Sequence, residues 1–94
     1  MELKEIILSL SRDIDFLEEE ILRLDCQRRL LGAQKHLGGE LTRYHWMNDL
    51  FVLNERINEL KQRQEELKKR RFEVIQEFID KIEEKMKGGK NEKN

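Results

Sequence analysis

The chain lacks proline altogether, and among its 94 residues it has one cysteine, one tryptophan and an aromatic share of only 6%. Each scarcity excludes something. Without proline, nothing in the sequence forces a helix to stop or kink. With Cys26 alone, neither a disulfide framework nor a CxxC site can form. With few aromatics and 37% hydrophobic residues, a deep single-chain core with enclosed pockets is not expected. No apolar run approaches the ~20 residues that span a bilayer. Charge of one sign is missing too. Nineteen basic and twenty acidic residues leave a net charge of −1, so no overall field draws in nucleic acid or an anionic membrane. The opening Met1-Glu2-Leu3-Lys4-Glu5 has neither the basic segment nor the apolar core of a secretory signal. A cytoplasmic, reducing setting is therefore expected.

What the chain has in abundance is charge, at 41% of residues, and that charge flanks narrow apolar seams. Leu3, Ile7, Leu10, Ile14, Leu17, Ile21, Leu24, Arg28 and Leu31 alternate in steps of four and three, a heptad pattern with Ile at a and Leu at d. Trp46, Leu50, Leu53, Ile57, Leu60, Gln64, Leu67, Arg71, Val74 and Phe78 repeat the pattern. Between the two seams lies a stretch holding Gly32, Gly38 and Gly39. Each glycine costs a helix roughly 1 kcal/mol relative to alanine. The pattern predicts a helix over 3–31, a turn over 32–40, a longer helix over 41–87 and a disordered glycine-rich tail over 88–94. Residues 1–87 then form a single helical-hairpin domain.

Charge favours a fold-back over self-pairing. After the first heptad, the charged flanking positions of the first seam, Asp13, Glu18, Glu20 and Asp25, are acidic, whereas Arg56, Lys61, Arg63, Lys68 and Arg70 of the second are basic. Parallel self-association would set like charges together, and pairing the two seams sets opposite ones together. The expected fold class is all-α, an antiparallel coiled-coil hairpin that dimerises into a four-helix-type assembly. The register expected from facing seam residues sets Ile7 against Leu67, Ile14 against Leu60, Ile21 against Leu53 and Arg28 against Trp46. It stacks a guanidinium on an indole. A slip of one heptad would instead face Leu10 with Arg71 and Leu17 with Gln64, polar against apolar.

In the expected register the first helix ends opposite Arg71. The second continues alone, carrying Phe72, Val74, Ile75, Phe78, Ile79, Ile82 and Met86. An unpartnered stripe of this kind marks an interaction surface. Phe72, Ile75, Phe78, Ile79, Ile82 and Met86 are the expected interface, for a second copy of the chain or for another protein. The leading expectation is a non-enzymatic interaction module, a small adaptor or regulator. Polar Arg28, Gln64 and Arg71 within the seams are read as devices that set register and oligomeric state. Tyr44, His45 and Trp46 are read first as a plug at the turn and second as a binding hot spot.

Other chemistry is thinly represented. The run from Lys61 to Arg71 carries six basic residues against two acidic. It offers Lys61, Lys68, Lys69, Arg70 and Arg71 as phosphate contacts for a nucleic-acid-associated regulator, but no aromatics interleave to stack bases. Cys26, His36, His45 and Asp49 match no metal-ligand spacing. No metal site, cofactor or catalytic residue is expected. The stretch Ile14 to Leu30 resembles the first helix of small all-helical chorismate mutases. That resemblance implies an intertwined dimer with Arg28 holding a substrate carboxylate. The family's Lys and its Arg-Glu pair, however, meet Gly38-Gly39 and Asp49-Leu50-Phe51 here.

Overall fold

The structure, a computed structural model, describes residues 2–34 and 38–93, with side chains as far as Lys87. It is an all-α helical hairpin. Helix α1 runs Leu3–Ala33 and helix α2 runs Glu40–Lys93. They pack side by side into a rod with extents of 83 × 20 × 14 Å. The length is that of α2, whose 54 residues rise about 1.5 Å each.

Heptad spacing is what makes both helices, since each buries one narrow stripe against the other. Ile21, Leu24, Ile57 and Leu60 form the buried centre, with Leu17 and Leu53 packed around it. Ile14 and Val74 are also buried. The turn begins after Ala33. The Gln34 N–H donates to the Leu31 carbonyl, closing the last turn of α1. The Trp46 indole N–H donates to the same carbonyl at 2.8 Å. One side chain of α2 thereby satisfies a helix end that would otherwise face water. Gly38 sits so close to Thr42 that an added Cβ would lie 2.7 Å from the threonine Cβ. At that position a glycine is required by the approach of chain to chain.

Three expectations need correction. The first is the register. Gln64 donates to the Ile14 carbonyl at 3.3 Å and to Glu18 Oε2 at 2.7 Å. Arg71 donates to Ser11 Oγ at 3.3 Å, and Arg28 to Asn54 Oδ1 at 3.1 Å. These contacts belong to the pairing one heptad along from the expected one. Arg28 lies beside Asn54 and Asp25 instead of stacking on Trp46. The physical reason is that seam polar groups find partners to the side of the seam, in flanking side chains and main-chain carbonyls. Gln64 is buried but hydrogen-bonded, so the expected penalty for facing Leu17 is not incurred.

The second follows from the first. The first two turns of α2 project beyond the end of α1, and α1 reaches further along α2 at the other end. Leu3 lies by Phe78 in a shared groove, not by Arg71. Val74, expected to be bare, is 2% exposed.

The third concerns charge. Among the described residues the ion pairs join neighbours on one helix, such as Arg29 with Asp25 at 3.0 Å and Lys68 with Glu65 at 3.6 Å. The direct polar links between the helices use Gln64, Arg71, Arg28 and Trp46. In addition, α2 continues in helical geometry through Gly88 and Gly89 to Lys93, beyond the end expected at residue 87. Glycine lowers helix propensity without forbidding the helix, and no proline intervenes.

Candidate interaction surface

Polar and apolar residues on α2 are arranged in two seams. The first faces α1 and is described above. The second lies one step around the helix and also alternates by three and four: Tyr44, Met47, Phe51, Asn54, Asn58, Lys61, Glu65, Lys68, Phe72, Ile75, Ile79, Ile82 and Met86. Its residues are exposed throughout, apart from half-buried Ile75. Its two ends are apolar and its middle is polar. The far end of this seam, from Phe72 to Met86, is the expected interface; what the sequence reading missed is that the same seam runs back to Tyr44. The signal was present as a period of 3.5 residues running from Tyr44 to Met86, obscured by the polar middle.

The expected interface residues divide between the two seams. Phe78 belongs to the first and is half-buried beside Leu3 and Ile82. Ile75 is half-buried at the edge of the hairpin. Phe72, Ile79, Ile82 and Met86 form an exposed apolar strip on α2, with Phe72 69% and Met86 64% exposed. Past Phe78 the first seam becomes polar, at Lys81 and Lys85, beside the start of α1 at Leu3. The unpartnered apolar surface is therefore on one side of α2, not on the face that α1 vacates. A second apolar strip, Leu41, Tyr44, Met47 and Phe51, lies at the turn end of the same helix. There Tyr44 and His45 meet edge to face, with ring centres 5.7 Å apart. The nearby Leu30 and Val52 are exposed as well.

The basic run does not gather into one site. Consecutive Lys68, Lys69, Arg70 and Arg71 point around the full circumference of the helix. Arg71 is half-buried and engaged with Ser11. Lys68 and Arg70 sit near Glu65 and Glu73. Lys61 and Lys69 stand exposed on the surface. Arg28, which the mutase resemblance would place on a substrate, bonds to Asp25 and Asn54. Its neighbourhood between the helices is filled by Leu24, Leu53 and Ile57. Among the described residues no group of His, Cys, Asp and Glu is placed to hold a metal ion. His36 of the candidate set lies outside them. Cys26 is free and exposed. No helix is long and apolar enough to cross a membrane.

The fold thus defines a class, the two-helix hairpin with one long arm. Comparison with known proteins adds no closer relationship: no family model, no curated protein and no solved structure matches the chain.

Proposed function

We propose that this protein is a non-catalytic interaction module, a small coiled-coil adaptor or regulator of the cytoplasm, that binds protein through the outer side of α2. The observation that carries the reading is the strip of Phe72, Ile79, Ile82 and Met86, large apolar side chains that α1 leaves between 41% and 69% exposed. Apolar side chains aligned at helical spacing on a rigid rod suit the docking of another helix. The openings along the hairpin are shallow and open to solvent. Small-molecule sites instead enclose most of their ligand. The basic run has less support as a phosphate site, because its cations diverge around the helix and several already face carboxylates.

The test is the double substitution Ile79→Glu with Ile82→Glu, which leaves the buried centre of the hairpin intact. Loss of self-association or of partner capture, with helicity unchanged by circular dichroism, is the expected result. If light scattering and capture both match the unmodified protein, this surface is not the functional one.

A further inference from the structure

Resting on that reading, we infer that the occupant of the second seam is a second copy of this chain, running antiparallel about a two-fold axis beside Arg63. The two apolar ends of the seam lie at matched distances from that point. The two-fold sets Phe51 against Ile75 of the second copy, Met47 against its Ile79 and Tyr44 against its Ile82. The turn-end strip of each hairpin covers the far-end strip of the other. At the middle of the seam, Lys61 meets Glu65 of the second copy, twice by symmetry. Asn54 and Asn58 meet Phe72 and Lys68 in between.

Alternatives lose this match. Sliding one heptad in one direction sets Lys61 against Phe72, and in the other Phe51 against Lys68. A parallel pairing sets Lys61 on Lys61 and Glu65 on Glu65, like charge on like charge. The apolar ends therefore select this register, and the charged middle selects the antiparallel over the parallel arrangement. Helix α1 carries Glu18 beside Gln64, level with the two-fold axis. Two copies of Glu18 brought together there would repel, which favours contact of α2 against α2 over contact between the α1 helices.

The area is sufficient. A compact chain of 11.5 kDa exposes about 5800 Å². This one exposes 8010 Å². Its rod shape accounts for part of the excess, and exposed Phe, Ile, Met and Tyr side chains lie within it. A standard interface covers about 800 Å² on each partner, about a tenth of this chain's exposed surface.

Disulfide trapping tests the geometry. In a Cys26→Ser background, Phe51→Cys and Ile75→Cys together should give a covalent dimer on mild oxidation. Either substitution alone should not, because like positions lie 24 residues apart along the paired helices, roughly 36 Å. Cross-linking by the single variants would overturn the antiparallel arrangement. A charge-swap series gives a second reading that does not depend on cysteines. Lys61→Glu should weaken the dimer about tenfold in Kd, and adding Glu65→Lys should restore it. Failure of the double variant to recover would overturn the central pairing. A chain monomeric at ~100 µM, a concentration at which even weak dimers assemble, would overturn the second copy as occupant. If Ile79→Glu with Ile82→Glu still abolished capture of a different protein, the interaction-module reading would survive that result.

Discussion

The middle of the hairpin and the two ends of α2 are both built from large apolar side chains yet behave oppositely. In the middle, Ile21, Leu24, Ile57 and Leu60 close on one another, and Ile57 is 1% exposed. At the ends, Tyr44, Phe51, Ile79 and Met86 stand in solvent. Hydrophobicity does not separate the two sets. Position does, because a helix can present one stripe to its only neighbour and any second stripe is left outside. A two-helix protein that carries two stripes on one helix is short of a partner.

The largest expected effect lies in the middle. Ile57→Ala removes a side chain that is fully enclosed and should cost about 2–5 kcal/mol of stability, read by thermal or denaturant melting of helicity. Ile79→Ala, at 41% exposed, should cost under about 1 kcal/mol in the monomer. Equal losses would erase the distinction between the regions. Gly38 supplies the next test, since it lies against the Thr42 side chain and not in the buried centre. Gly38→Ala drives a methyl into Thr42 and should cost roughly 1–3 kcal/mol. Gly32→Ala, in helix and facing open space, should add about 0.5–1 kcal/mol. The smallest change in stability, and the most informative for register, is expected from Gln64→Leu. It removes the bonds to Ile14 and Glu18 and puts in a well-matched apolar residue, so stability should move by less than about 1 kcal/mol. It also makes the pairing of residue 64 with Leu10 acceptable. A pair of labels, one on each helix, should then report two interhelical distances in place of one. A single unchanged distance would show that Gln64 does not select the register.

Much of this architecture was legible in the residues. Two alternating seams, glycines between them and the absence of proline were enough for two helices folded back on each other. That the second helix is the longer was legible too, as was the exposure of Phe72, Ile79, Ile82 and Met86. The register was not. It turned on whether Gln64 and Arg71 would reject the leucines facing them, and on paper a seam position has only its facing partner. In three dimensions Gln64 reaches a carbonyl and a carboxylate off the seam, and Arg71 reaches Ser11. The extent of the bare segment inherited that error, which is why Val74 was placed in solvent and is found buried.

Local periodicity by itself therefore determined what each segment is, because helix formation and the width of an apolar stripe depend on neighbours a few residues away. Tertiary structure decided where the segments meet. Pairings one heptad apart bury similar leucines and isoleucines, and the choice between them falls to a few long polar side chains whose reach is visible only when both helices are in place.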